Sequence, residues 1–313
     1  MSIKSLLIGS TLVICSCASG QESSPSTVTD PVTTVATTTS TSTTTTVPKP
    51  GGNLDVHIDP AIESLPETQQ ALEMILRTEQ QYYVRPGTVT LLYGTDQTSV
   101  DWAFQKAKEL NCFQDIGIDG FVRLVSWGRP CGLMMRVDGV NYDCFDNNWC
   151  KQGRTVAAHE FYHVVAYQVL ENCTCEPRIF GQKIPNWLNE GITDYVGYAM
   201  VYGATPGSLD RNELLRLRTE LKTRATNSAV AVGVIAMEDL WSGGSAEPWF
   251  QYLYDRSFLA VTLLVERFGE QAVIVEYFEN VTALGNHEKG FEETFGIAEA
   301  EFDAEFQAWI KSL

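Results

Sequence analysis

The chain has 313 residues, enough for one large domain or two modest ones, and its 44% hydrophobic and 11% aromatic content supports a sizeable core. Asp and Glu outnumber Lys and Arg by 39 to 22, a formal net charge of −17. Such a chain has no cationic surplus with which to displace counterions from phosphates, so nucleic acid is excluded as the expected partner.

Residues 1–17 form an address. Lys4 gives a short positive region, and residues 6–14 an apolar run too short to span a bilayer. The run ends in I-C-S-C, which resembles a bacterial lipoprotein signal, where an aliphatic and a small residue precede the lipidated cysteine. Ser16 before Cys17 fits that pattern, whereas Ile14 before Cys15 does not. The alternative is an ordinary secretory signal cleaved near Ala18, and either reading exports the chain. The resemblance implies an outward-facing protein anchored to the cell membrane by a lipid on Cys17. Residues 18–54 are dominated by Ser, Thr, Pro and Val, too poor in apolar surface to offset the entropy of ordering, so a disordered linker is expected there.

Residues 55–313 are expected to form one folded domain. Pro66 followed by Leu72, Ile75, Leu76 and Tyr83 at helical spacing predicts a helix over 65–83. The β-branched run G-T-V-T-L-L-Y predicts a strand over 87–93, then an amphipathic helix over 99–110. Strands are expected over 121–127 and 133–137, with Asp138-Gly139 as a tight turn into 140–145. Strands, then the motif helix below, then more helices suit an α+β fold.

Beyond the signal lie Cys112, Cys131, Cys144, Cys150, Cys173 and Cys175. An even number in an exported chain reads as a disulfide framework. Cys144 and Cys150 are close enough for a local bridge, and Cys173 and Cys175 are expected to pair with partners elsewhere. The C-x-C spacing argues against a structural zinc site, whose paired thiols have two or more residues between them.

The stretch 155–168, T-V-A-A-H-E-F-Y-H-V-V-A-Y-Q, holds H-E-x-x-H, and two of the chain's four histidines. On a helix His159 and His163, at i and i+4, share a face and can grip one metal ion. Glu160 is about 100° round the axis, aimed at the open side of that ion. Val156, Ala157, Val164, Val165 and Val169 are expected to pack on the sheet. His57 and His287 read as ordinary surface or capping residues. Downstream, I-P-N-W-L-N-E-G-I-T-D-Y predicts a second helix over 184–200, with Glu190 and Asp194 at i and i+4. Two histidines and Glu190 leave a fourth zinc position open, the catalytic arrangement, and Asp194 can take the second N–H of a ligating histidine.

H-E-F-Y-H followed by P-N-W-L-N-E-G-I-T-D-Y resembles the gluzincin metallopeptidases, particularly their bacterial peptidase MA-like branch. The likeness begins near residue 155 and extends through 237–240, 254–269 and 291–309 to the C-terminus. It implies a zincin-like lobe, with a small mixed sheet and the H-E-x-x-H helix, followed by a mainly helical C-terminal lobe. It further implies one zinc ion per chain on His159, His163 and Glu190, a peptide or protein substrate, and Glu160 as general base. Gluzincins commonly add a donor to the oxyanion, and position in the downstream helix nominates Tyr254, ahead of Tyr252 and Tyr198. Residues 241–248 read as a connector beside that helix, and 209–224 as a solvated basic helix. The competing reading is a non-catalytic surface binding or assembly lipoprotein on a gluzincin scaffold, which has no need of Glu160.

Overall fold

The strand Thr88–Tyr93 (β2) reads T-V-T-L-L-Y and is buried along its whole length, as a strand covered on both faces must be. Alternation sends Val89, Leu91 and Tyr93 to one face and Leu92, with the threonines, to the other. In this computed structural model, residues 52–114, 116–123, 126–137, 153–170, 184–203, 210–213, 215–219, 234 and 250–312 are described, all within the compact unit Val47–Leu313. The signal and linker, Cys17, Cys144, Cys150, Cys173, Cys175, the turn at 138–139, the segment 237–248 and the Tyr252 side chain lie outside the described residues.

Leu54–Ile58 (β1) and Gly132–Arg136 (β4) flank β2 in parallel, and Ser126–Arg129 (β3) runs antiparallel to β4. The sheet order is β1-β2-β4-β3. Its first face is covered by Gln97–Glu109 (α2) and Ile118–Arg123 (α3), which enclose Val89, Leu91, Tyr93, Phe121 and Met134. A disulfide from Cys112 to Cys131 ties the segment after α2 to the β3–β4 turn. The other face carries Pro66–Gln81 (α1) and the motif helix Gly153–Leu170 (α4).

The strand expected over 121–127 is corrected in part. Phe121 to Arg123 close the helix α3, and the strand is Ser126–Arg129. Asp119 sits in the first turn of α3, where a negative charge suits the helix dipole. Phe121 is 0% exposed and gives its carbonyl to the Tyr93 hydroxyl at 3.1 Å, whereas Val122 is 43% exposed. The apolar run therefore serves two elements instead of one.

The remainder is helical: Asn186–Tyr202 (α5), Phe250–Phe268 (α6), a π-helical turn Ala272–Glu276 leading into Tyr277–Leu284 (α7), His287–Phe295 (α8) and Glu299–Ser312 (α9). Gly285 and Gly296 end α7 and α8 with φ of 63° and 67°, the left-handed C-cap that a side chain would strain. No helix among the described residues is long and apolar enough to cross a membrane. The molecule is thus α+β, with a small mixed sheet and mainly helical content. Cys112 and Cys131 are the pair joined among the six expected disulfide residues that the described segments include.

Candidate metal centre

The motif helix α4 is buried nearly all round, because it packs on β3, β4, α1, α5 and α7 together. Val156 and Val169, expected on the sheet side, are only partly buried. From Thr155 to Leu170 the partly exposed positions are Val156, Glu160, Tyr167 and Val169. Glu160 and Tyr167 are seven residues apart, close to two turns, and so open on the same side.

Gln168 pins the far end of α4 to the sheet. Its amide nitrogen donates to Thr88 Oγ1 at 2.9 Å and to the Pro130 carbonyl at 2.8 Å, and its side-chain oxygen accepts from Arg85 N at 2.8 Å. Three close approaches fix α4 and α5 laterally. A Cβ on Gly128 of β3 would stand 2.7 Å from the Glu160 carbonyl and 2.9 Å from His163 Cβ. One on Gly197 of α5 would stand 2.7 Å from the Thr155 carbonyl, and one on Gly191 would stand 2.5 Å from the Ser257 carbonyl of α6. Only glycine permits these spacings, so α4 is seated between β3 and α5, and α5 between α4 and α6.

In that setting His159, His163 and Glu190 converge. His159 Nε2 lies 3.2 Å from His163 Nε2 and 3.3 Å from Glu190 Oε2, and His163 Nε2 lies 3.5 Å from the same oxygen. The three can offer one ligand atom each, all within 4.8 Å of one another. A tetrahedron with zinc bonds of ~2.0–2.1 Å has edges of about 3.3 Å, so the donor spacing fits that ion. Both histidines are buried, and Glu190 is mostly covered.

Asp194, 4% exposed, accepts from His159 Nδ1 at 2.7 Å, which leaves the lone pair on Nε2 facing the other two ligand atoms. Thr193 Oγ1 donates to the Asn189 and Glu190 carbonyls at 3.1 and 3.0 Å and lies 3.4 Å from His159 Nε2. His163 is held differently: its Nδ1 is buried without a hydrogen bond, and its ring stacks on Tyr167 with centroids 5.6 Å apart and planes at 14°. Burial opposes ionisation of Glu190, but the imidazoles of His163 and His159 beside it outweigh that and hold the carboxyl well below the usual carboxylate range.

Two phenols border the centre. Tyr254, on α6, is partly buried, and burial followed by the charges of Glu190, Asp194 and Glu160 pushes its hydroxyl well above the ordinary tyrosine range. Tyr167 is raised by burial, then by Glu190, against a lowering hydrogen bond from Asn189. Glu160 thus lies within electrostatic reach of both rings. Tyr198 is buried against Phe258, an edge-on pair with centroids 5.1 Å apart.

Sequence reasoning missed Tyr167, Asn189, Thr193 and the three glycines. Tyr167 was findable, since it follows His163 by one helical turn; the glycines carry no local signal, because what crowds them lies on other elements. His57, on β1, has its Nε2 3.0 Å from Asp55 Oδ1. His287, read as surface or capping, is instead a partly buried member of a polar network: the Tyr277 hydroxyl donates to its Nδ1 at 2.8 Å, and its Nε2 donates to Glu299 at 2.8 Å. No protein-family model matches this chain, and no curated protein or solved structure matches it.

Proposed function

We propose that this chain is an exported zinc-dependent metallopeptidase of gluzincin type, built on a zincin-like lobe with a helical C-terminal lobe, and carried on the outer face of the cell membrane by a lipid on Cys17. The observation that carries the reading is the set of ligand-atom separations, 3.2, 3.3 and 3.5 Å, beside a general base on the same helix. His159 Nε2, His163 Nε2 and Glu190 would hold the ion. Zinc bound there supplies a Lewis acid that acidifies water and polarises a carbonyl.

The chain's own residues do the rest. Asp194 fixes the His159 tautomer so that Nε2 points into the site. The Glu160 carboxylate accepts the proton of the attacking water and passes it to the leaving amine. Tyr254, kept protonated by burial and by the neighbouring carboxylates, donates its O–H to the substrate oxygen as that oxygen gains negative charge. β3, whose outer edge is unpaired by any strand among the described residues, packs on α4 at Gly128, and that edge would offer an extended peptide a backbone to pair with.

The test is zinc content and hydrolysis of a broad peptide library by the full chain, alongside Glu160→Gln. The variant is expected to keep zinc and lose turnover by ~10²–10⁴-fold. Stoichiometric zinc without hydrolysis would favour a non-catalytic binding lipoprotein, and no zinc at all would sink the proposal.

A further inference from the structure

The two histidine ligands are supported in different ways. His159 has Asp194 on its second ring nitrogen at 2.7 Å. The corresponding nitrogen of His163 is buried and takes no hydrogen bond from the described residues, so no acceptor among them sets the plane of that ring. What lies beside the ring instead is Tyr167, one helical turn further along α4, its plane nearly parallel at 14° and its centroid offset at 5.6 Å. On the backbone side, Gly128 of β3 brings the strand against His163 Cβ. Tyr167 is in turn tied across the centre: Asn189 Nδ2 donates to its hydroxyl at 3.4 Å, and Asn189 immediately precedes Glu190 on α5.

We propose that Tyr167 is the positioning residue for His163: its ring, tethered through Asn189 to the helix that carries Glu190, holds the second imidazole in its ligating orientation. It fills the place that the Asp194 carboxylate has at His159. Free rotation about the Cβ–Cγ bond would swing Nε2 away from Glu190, and an offset-stacked ring beside it resists that rotation. A carboxylate orients a histidine and also makes it more basic, whereas a stacked ring only orients it. The ring should therefore matter more than the hydroxyl, and the orientation should exist before metal arrives.

This inference rests on the zinc reading above and is tested apart from it. Zinc affinity of the full chain is measured by chelator competition for the parent, Tyr167→Leu and Tyr167→Phe, with thermal midpoints of the metal-free proteins and visible spectra after cobalt substitution. Loss of a supporting contact to a ligating histidine costs ~10–100-fold in metal affinity, so Tyr167→Leu is expected to weaken zinc by about 10-fold or more and to change the cobalt spectrum. Tyr167→Phe, which keeps the ring, is expected to stay within about threefold of the parent with an unaltered spectrum. Metal-free midpoints close to the parent's separate this from general loosening. Should the Leu variant fail to fold, the parent alone still decides: its His163 ring protons must show the upfield ring-current shift of a stacked neighbour with and without zinc. Parent-like zinc affinity in Tyr167→Leu, equal damage from Leu and Phe, or no ring-current shift would each overturn the inference while leaving the zinc site standing. A parent chain that binds no zinc removes the proposed function, and this inference with it.

Discussion

Two imidazole settings in this molecule use the same ring to opposite ends. In the C-terminal hairpin of α8 and α9, His287 is saturated: Tyr277 donates to Nδ1, Nε2 donates to Glu299, and Glu299 accepts again from Trp187 Nε1 at 2.9 Å. Donors and acceptors alternate from Tyr277 through His287 and Glu299 to Trp187. At the metal centre the alternation breaks. With the proton of His159 committed to Asp194, its Nε2 lone pair faces His163 Nε2 and a Glu190 oxygen. A lone pair and a carboxylate oxygen 3.3 Å apart repel unless a positive charge or a donated proton lies between them. His287 thus satisfies both nitrogens within the chain, and His159 turns one toward the group that could hold a metal ion. Trp187 joins the two settings, since it stands on α5 three residues before Glu190.

The sharpest way to break this contrast is to remove one histidine from each setting. His159→Ala or Glu190→Ala deletes a ligand, and zinc affinity should fall by more than the ~10–100-fold that a lost supporting contact costs. His287→Phe should leave zinc at one per chain. Chelator competition and metal analysis decide it, and a His287 variant that lost its zinc would erase the distinction. Metal removal reads the same contrast as stability: zinc at about 1,000 times its dissociation constant should add ~4 kcal/mol to unfolding, reversed by chelator. That increment should vanish in the Glu190 variant and persist in the His287 variant. A smaller effect is expected from Glu299→Leu, which leaves the Trp187 N–H and one His287 nitrogen without their acceptor. Denaturant unfolding of the metal-free protein should show a loss of ~1–3 kcal/mol, with zinc stoichiometry unchanged.

Much of the candidate metal centre was legible in the sequence, and almost none of the His287 network. H-E-x-x-H, and Glu190 with Asp194, are spacings along single helices, where the 3.6-residue period converts sequence distance directly into geometry. The α+β order was readable for a related reason, because the β-branched run of β2 and the helical spacing of α1 are local signals. His287 was misread because nothing local marks it. Its partners, 10 and 12 residues away, come from other helices, and the Trp187 end of the network is 112 residues from Glu299. Gly128, Gly191 and Gly197 were silent for the same cause: the reason each is glycine is a backbone on another element. The Cys112–Cys131 bond could not be chosen among the pairings that the cysteines allow, and the strand boundary near 121 failed where one apolar run was divided between α3 and β3.

The finest test concerns the phenols on each side of the comparison. Tyr277 supplies the O–H that His287 Nδ1 accepts, and Tyr254 would supply one to substrate; burial raises both hydroxyls well above the ordinary range, with Glu299 adding to Tyr277 and the site carboxylates to Tyr254. A tyrosine whose pKa is higher folded than unfolded contributes stability that is complete below the unfolded value of about 10 and is lost as pH rises beyond it. The metal-free chain should therefore hold its thermal midpoint as pH approaches 10 and lose it above. The absorbance of these tyrosinates should emerge with unfolding and not before it. Tyr277→Phe should flatten the alkaline loss and Tyr254→Phe should flatten it too, but only Tyr254→Phe should lower turnover, because only that hydroxyl faces the carboxylates of the metal centre. If Tyr277→Phe slowed hydrolysis with zinc still bound, the hairpin would be coupled to catalysis through Glu299 and Trp187, and the two histidine settings would no longer be separate.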